Sequence, residues 1–85
     1  MKYRLIVTNN FDKGMRRLSK EHREKARVAL KKIQGSPYEN KELGGRLKGL
    51  RRARFGDCRI IYAIDEKRKA IVLISIGPRE RIYEH

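Results

Sequence analysis

The 85-residue sequence predicts a single α+β domain, with a helical hairpin packed on one face of a small, mostly antiparallel sheet. Two observations predict this class. The first half of the chain has one alternating segment followed by two segments with helical spacing of apolar residues, and the second half has three strand-like segments. The predicted order is therefore β-α-α-β-β-β. Residues 1–85 are assigned to one domain, because this length supports one modest core.

The chain is expected to begin with a strand and a short helix. Residues 2–8 (KYRLIVT) alternate in polarity, as in a half-buried strand. Its buried face is expected to hold Tyr3, Leu5 and Val7. Asn9 or Asn10 is the expected N-cap of the first helix, since both side chains can accept a hydrogen bond from a free backbone N–H. The core stripe of this helix is Phe11, Met15 and Leu18.

The second helix has clear signals at both ends. Ser19 is the predicted N-cap, and Glu21 in the first turn favours the helix dipole. Gly35 is predicted to adopt a left-handed conformation just after the helix, and Pro37 prevents its continuation. The buried stripe is Ala26, Ala29, Leu30 and Ile33.

The second half is predicted to be a loop followed by three strands. Residues 36–49 form either a loop or a short strand entry, with Leu43 and Leu47 as candidates for the core. Gly56-Asp57 is a typical two-residue hairpin turn between strands 50–55 and 58–64. A turn at residues 65–69 leads to the near-continuous apolar run 70–77, which predicts a central strand buried on both faces.

The charge points to a polyanionic partner. The chain has 23 Lys and Arg against 10 Asp and Glu, a formal net charge of +13, whereas a magnitude of about 2–8 serves the solubility of a small domain. Nucleic acid is the first candidate, an acidic protein the second and an anionic membrane surface the third. With no Trp, four Tyr and two Phe, phosphate contacts are expected to dominate over base stacking.

Several kinds of site are disfavoured by composition. Cys58 is the only cysteine, so no disulfide within the chain is expected, and its strand position favours a packed residue over a nucleophile. The two histidines, His22 and His85, have no metal-ligand spacing with it, so no metal site is expected. With a longest apolar run of seven residues, a single cysteine and no signal-peptide pattern, a soluble cytoplasmic protein is predicted.

Arginine is the residue type that remains for chemistry. Arg52, Arg54 and Arg59 are predicted to share the face of the β-hairpin that the helices leave open. The last strand could deliver Arg79 and Arg81 to one end of that face. Like charges across a strand pair are unfavourable, so the cluster indicates phosphate binding. The alternative is that the arginine stems cover apolar surface and keep their charged ends in water.

The segments RARFGDCRIIYAID (52–65) and GPRERIY (77–83), with the preceding RLKGL (46–50), resemble the RelE/ParE toxin superfamily. The resemblance extends over the whole chain in element order. It implies a RelE-like fold and the toxin of a type II toxin–antitoxin system. It further implies an endoribonuclease that cuts mRNA in the ribosomal A site, beside the 16S rRNA, without metal or cofactor. In that reaction the RNA 2′-OH attacks the adjacent phosphate.

The resemblance also implies residue roles. Arg52 and Arg54 match two strand lysines or arginines of RelE-like enzymes, and Arg59 matches the hairpin arginine that contacts the phosphate. Arg79 matches an arginine assigned to phosphate stabilisation or leaving-group protonation, and Tyr83 matches a C-terminal tyrosine that orients the nucleotide or aids proton transfer. Further RNA contacts are expected from Arg46, Lys48, Arg51 and Arg81. No histidine stands at an acid–base position, and arginine is a poor general base.

An acidic, amphipathic antitoxin is the implied partner, forming a hetero-oligomer with a toxin that alone is monomeric. Two other functions fit the same fold. One is a ParE-like inhibitor of DNA gyrase without nuclease activity, and the other is a basic nucleic-acid-binding module without catalysis.

Overall fold

The computed structural model describes residues 3–78, in which two helices pack on a four-stranded sheet. The elements are β1 (Arg4–Val7), α1 (Asn9–Arg17), α2 (Lys20–Gly35), a 3-10 turn (Gly45–Leu47), β2 (Arg51–Phe55), β3 (Cys58–Asp65) and β4 (Ala70–Pro78). The strand order is β1-β4-β3-β2, with β1 parallel to β4 and the other pairs antiparallel. The predicted α+β class and element order are confirmed. Within residues 3–78, neither helix has the length and apolar character needed to cross a membrane.

Strand β4 lies at the centre of the fold, as its apolar sequence predicts. It pairs with β1 on one side and β3 on the other, and its Ile71 and Leu73 side chains are fully buried. Helix α1 packs directly on it. A Cβ atom on Gly14 would lie 2.3 Å from the carbonyl oxygen of Ile76, so the absence of a side chain at Gly14 permits this close approach.

The N-cap of α1 is Thr8, and the prediction of Asn9 or Asn10 is wrong by one or two positions. Thr8 Oγ1 accepts a hydrogen bond from the backbone N–H of Phe11 at 3.2 Å. The same hydroxyl donates to the carbonyl oxygen of Leu73 in β4 at 2.7 Å. Asn9 is instead the first helical residue, because Thr8 caps the helix and also joins it to the sheet.

Helix α2 begins as predicted and ends differently. Ser19 Oγ accepts from the backbone N–H of His22, which confirms the cap. Ala26 and Ile33 are fully buried, whereas Ala29 and Leu30 are partly buried against the core. Gly35, however, is the last helical residue, and Ser36 is the C-cap. Gly35 is not among the residues with positive φ, so the predicted left-handed conformation is wrong.

The β2–β3 hairpin has the predicted register. Phe55 pairs with Cys58 across the two-residue turn, and Gly56 has a φ of +55°, at the position where a type II′ turn requires glycine. On the first strand the prediction fails for Val7, which is 55% exposed. Strand β1 is an edge strand and ends at Val7, so less of the protein covers this residue.

A polar network joins three segments at the end of the sheet opposite the Gly56-Asp57 turn. Glu66, in the β3–β4 turn, accepts hydrogen bonds from the hydroxyls of Tyr3 and Tyr38 and from Lys69 Nζ at 2.8 Å. The bonds from Lys69, Tyr3 and Tyr38 lower the pKa of Glu66 to about 2. The bond to Glu66, with some desolvation, raises the pKa of Tyr38 to about 12. The network therefore holds Glu66 ionised and both tyrosines neutral.

The two helical glycines provide a matched test of the α1–β4 contact. Alanine has a helix propensity about 1 kcal/mol better than glycine. At Gly14 it would overlap the β4 backbone, and overpacking of this kind costs about 1–3 kcal/mol. After subtraction of the propensity gain, Gly14→Ala is expected to lower the free energy of unfolding by up to about 2 kcal/mol. Gly35→Ala meets no atom within 4 Å and is expected to raise it by about 0.5–1 kcal/mol. Urea denaturation measures the free energy of unfolding of both variants. A change of the same sign in both would contradict the close packing of α1 on β4.

The Glu66 network predicts a specific pH dependence. Because folding lowers the pKa of Glu66 from 4.5 to about 2, its contribution to stability is complete above pH 4.5 and disappears as the pH falls towards 2. Tyr38, with its pKa raised from 10.0 to about 12, contributes below pH 10 and loses this contribution as the pH rises towards 12. A plot of the urea midpoint against pH should fall at both low and high pH in the parent protein. In Glu66→Gln both of these falls should be smaller.

Glu24→Gln is the control for this experiment, since Glu24 pairs with Arg27 on the exposed side of α2 and is outside the network. Glu24→Gln should show the same fall of the urea midpoint at low and high pH as the parent protein. In an ultraviolet titration of the tyrosines, the highest pKa should fall towards 10 in Glu66→Gln. An unchanged value would contradict the hydrogen bond between Tyr38 and Glu66.

Candidate anion-binding face of the sheet

The β2–β3 hairpin brings three predicted arginines to one face of the sheet. Arg54 and Arg59 are direct cross-strand partners. Arg52 lies two residues before Arg54 on β2, on the same face, and pairs with Ile61. Directly opposed residues share a face, with Cβ atoms about 4.5–5.5 Å apart. The other face of the same strands holds Ala53, Ile60 and Tyr62, which belong to the helix-side core. The three arginines therefore lie on the face opposite the helices, as the sequence predicts.

These arginines differ in how firmly the fold holds them. Arg59 is on an inner strand and only 7% exposed, Arg52 is half-buried and Arg54, on the edge strand β2, is exposed. Beside them on the same face, Ile61 and its partner Ser75 are buried. Within residues 3–78, Arg54 makes no ion pair with an acidic side chain, so its guanidinium is available to an external anion.

Arg51 does not join this group. Its partner Tyr62 is in the helix-side core, and the Arg51 guanidinium donates to the carbonyl oxygen of Asn40 at 2.5 Å and lies 5.0 Å from the centre of the Tyr38 ring. Its Nη2 is also 3.8 Å from a carboxylate oxygen of Glu42. Arg51 thus organises the loop between α2 and β2.

The remaining predicted site residues are distributed at the two ends of the hairpin. Arg46 and Lys48 are exposed in the loop before β2, at the end away from the Gly56-Asp57 turn. Strand β4 ends at Pro78, which pairs with Cys58 beside that turn. Arg79, Arg81 and Tyr83, which follow Pro78, lie outside the described residues.

A second group of side chains meets at the hairpin turn. His22, in the first turn of α2, has its Nε2 3.4 Å from Asp57 Oδ1, and the Cys58 thiol donates to the same oxygen at 3.8 Å. Burial, followed by the charge of Asp57, raises the pKa of the Cys58 thiol, so Cys58 is unsuited to act as a nucleophile at neutral pH. The sequence contains no signal for this group, because packing of α2 alone joins His22 to the turn.

A groove of about 260 Å³ lies between α2 and the edge strand β2. It is lined by Lys25, Val28, Ala29, Lys32, Arg54 and Phe55. Val28 is 57% exposed, which is high for a large apolar residue, and three cationic side chains surround the apolar part. The groove is not predicted from the sequence, in which its signal is Val28, an apolar residue outside the stripe of α2 that packs on the core.

Comparison with known proteins places this arrangement among toxins. The profile of the ParE toxin of type II toxin–antitoxin systems (parDE) matches residues 5–83. The archaeal RelE–RelB complex from Pyrococcus horikoshii OT3 contains a chain with 30% identity and a TM-score of 0.74, covering 95% of this chain and 99% of that one.

Two other solved complexes have the same fold. The RelBE2 toxin–antitoxin complex from Mycobacterium tuberculosis matches with 24% identity and a TM-score of 0.83, covering 93% of this chain and 100% of that one. The intact E. coli RelBE toxin–antitoxin complex matches with 24% identity and a TM-score of 0.80, covering 93% and 99%. The search of curated protein sequences gave no match.

The family profile extends over nearly the whole described fold, including both strands of the arginine-bearing hairpin. The 30% identical archaeal chain is matched over almost its full length. This chain therefore belongs to the ParE toxin family of type II toxin–antitoxin systems, with a RelE-like fold.

Proposed function

We propose that the protein is a ribosome-dependent mRNA endoribonuclease that cleaves by attack of the RNA 2′-OH on the adjacent phosphate. The observation that carries the proposal is the direct pairing of Arg54 with Arg59, with Arg52 on the same face. Two cationic side chains in this relation destabilise a strand pair, and an anion bound between them removes the repulsion.

The arginine face suits the charge that develops in this reaction. As the 2′-OH attacks, negative charge accumulates on the phosphate oxygens, and preorganised cationic donors stabilise it. Arg59 supplies a donor held by an inner strand, while Arg54 presents its fork at the surface, where RNA can reach it. Arginine is effective here because its planar guanidinium binds two phosphate oxygens at once.

Proton transfer is the step that these three residues serve least well. Arginine remains protonated at neutral pH and cannot accept the 2′-OH proton. We assign phosphate stabilisation or leaving-group protonation to Arg79 and nucleotide orientation or proton transfer to Tyr83, in accordance with the RelE resemblance. Arg46, Lys48 and Arg81 are proposed to contact the RNA backbone further from the cleaved bond. For Arg51, the contacts with the preceding loop favour a structural role over RNA binding.

The family profile favours one other function. It is the profile of ParE toxins, so inhibition of DNA gyrase without RNA cleavage is the second candidate. A gyrase inhibitor needs no group that stabilises a phosphorane, and its arginines would serve only to bind a partner. The two functions therefore differ in what the arginine face does once an anion is bound.

The nuclease activity is tested by adding the protein to ribosomes that are translating a defined mRNA and mapping the 5′ ends of the fragments. Arg54→Ala and Arg59→Ala are each expected to lower the cleavage rate about 10²–10³-fold, the usual effect of removing one preorganised donor. Arg79→Ala is expected to lower it by a similar factor while ribosome binding weakens modestly.

Arg16→Ala is the matched control, because Arg16 pairs with Asp12 on the exposed surface of α1 and its loss changes the net charge equally. Cleavage by this variant should remain within about twofold of the parent, since surface ion pairs contribute little. No A-site cleavage by the parent protein, together with inhibition of DNA supercoiling by gyrase, would replace the nuclease with the ParE-like function.

We also propose that an acidic, amphipathic segment of the antitoxin occupies the groove between α2 and β2. The solved relatives from P. horikoshii, M. tuberculosis and E. coli are complexes of toxin with antitoxin. The groove has an apolar part for the apolar face of such a segment, and Lys25, Lys32 and Arg54 match its acidic side chains. Because Arg54 belongs to both surfaces, antitoxin bound there would block the arginine face.

Val28→Asp tests this docking surface. An aspartate here would repel acidic side chains and remove apolar contact, so the dissociation constant for the acidic product of an adjacent antitoxin gene should rise at least about tenfold. Val7→Asp is the control, because Val7 is equally exposed but lies on the opposite edge strand. A larger effect of Val7→Asp in calorimetric titrations would place the antitoxin elsewhere.

A further inference from the structure

We propose that His22, Asp57 and Cys58 form a binding site for a zinc-like divalent metal ion, which links the first turn of α2 to the tip of the β2–β3 hairpin. Within residues 3–78, these three side chains are the group whose potential ligand atoms all lie within 4.8 Å of one another. The proposal is independent of the nuclease and antitoxin functions, neither of which uses these side chains.

The distances are close to those of a coordination sphere. With bonds of about 2.0–2.3 Å and tetrahedral angles, neighbouring donors around zinc lie about 3.3–3.7 Å apart. Asp57 Oδ1 is 3.4 Å from His22 Nε2 and 3.8 Å from Cys58 Sγ. The third separation, between a ring nitrogen of His22 and Cys58 Sγ, is at most 4.8 Å. The exposed Asp57 and the partly exposed His22 can close this gap, while Cys58 is held by the strand.

The orientation of His22 is supported by a hydrogen bond on its other ring nitrogen. Nδ1 is 2.8 Å from Ser19 Oγ, the hydroxyl that caps α2. A hydroxyl can accept as well as donate, so Ser19 can hold the tautomer in which Nδ1 carries the proton and the Nε2 lone pair faces Asp57 and Cys58. Metal-binding histidines are commonly oriented in this way through their second nitrogen.

The donor set selects the class of metal. A thiolate, an imidazole and one carboxylate oxygen suit Zn²⁺ and Co²⁺, whereas Mg²⁺ and Ca²⁺ require oxygen donors. Binding displaces the thiol proton to solvent, and the resulting thiolate and Asp57 together balance a divalent charge. This balance matters in a chain of net charge +13, which repels cations from sites without anionic ligands. With three protein ligands, a fourth position remains for water.

Metal at this site would fix the tip of the hairpin that carries Arg54 and Arg59. Asp57 is in the turn, and Cys58 directly precedes Arg59 on β3. A metal bound only by the folded chain stabilises it in proportion to the logarithm of metal concentration. We therefore expect the site to stiffen the hairpin against α2.

Cobalt titration of the reduced, full-length protein tests the site directly. One Co²⁺ per monomer is expected, with a thiolate-to-cobalt charge-transfer band and the ligand-field spectrum of tetrahedral coordination. Zn²⁺ should displace the cobalt and raise the thermal midpoint of unfolding, an increase reversed by a chelator, whereas Mg²⁺ should do neither.

Variants of the exposed ligands separate the site from other metal binding. His22→Gln and Asp57→Asn should each weaken Co²⁺ binding at least tenfold, and Cys58→Ser should remove the charge-transfer band. His85→Gln and Asp65→Asn are the matched controls and should bind as the parent does. If Cys58→Ser does not fold, the two exposed-ligand variants decide the question.

Four results would overturn the proposal. These are absence of any cobalt binding at millimolar concentration, cobalt binding without a charge-transfer band, equal loss of affinity in the His85→Gln control, and a stoichiometry of one metal per two chains.

Discussion

Close packing around β4 is the constraint on which the rest of the described fold depends. This strand pairs with β1 and β3, and α1 lies so near it that a side chain on Gly14 would overlap the Ile76 carbonyl. Thr8 adds a hydrogen bond to Leu73 at the point where β1 passes into α1. Because β4 is fixed on both edges and one face, β3 and its hairpin partner β2 are positioned against a rigid support.

That support explains how a small domain can hold several like charges close together. Arg59 lies on β3, between two strands, where backbone hydrogen bonds and buried neighbours such as Ile60 and Tyr62 hold the chain whatever the side chain at position 59 contributes. Arg54 is on the edge strand, where its head remains in solvent. The arginines of this face therefore lie on a hairpin whose inner strand, β3, is paired on both sides.

Much of the fold and the central part of the candidate site could be predicted from the sequence, because both rest on local rules. Alternation places Arg52 and Arg54 on one face, and a two-residue turn at Gly56-Asp57 fixes the register that pairs Arg54 with Arg59. The predictions are wrong where contacts between distant parts of the chain determine a helix cap or the burial of a residue. Thr8 displaces Asn9 as the cap since its hydroxyl also reaches β4, and Val7 is exposed because β1 is a short edge strand.

Two groups of side chains that could not be predicted from the sequence are joined only through packing. Tyr3, Tyr38 and Glu66 come from three separate segments, and no spacing in the sequence relates them. His22 and the Asp57-Cys58 pair likewise meet because the first turn of α2 lies beside the tip of the hairpin. Arg51 shows the opposite case. It follows the charge pattern of its neighbours, but alternation directs it to the other face, where it binds the preceding loop.

The parallel pairing of β1 with β4 has a consequence for the order of events during synthesis. Thr8 and Leu73, which bond across this pair, are 65 positions apart, so the first strand has no partner until the last described strand has left the ribosome. Helix α1 also packs on β4, so neither of the first two elements can complete its tertiary contacts early. Long-range closure of this kind slows folding. The two elements at the start of the described chain therefore complete their contacts after the β2–β3 hairpin, whose partners are close in the sequence, has already been made.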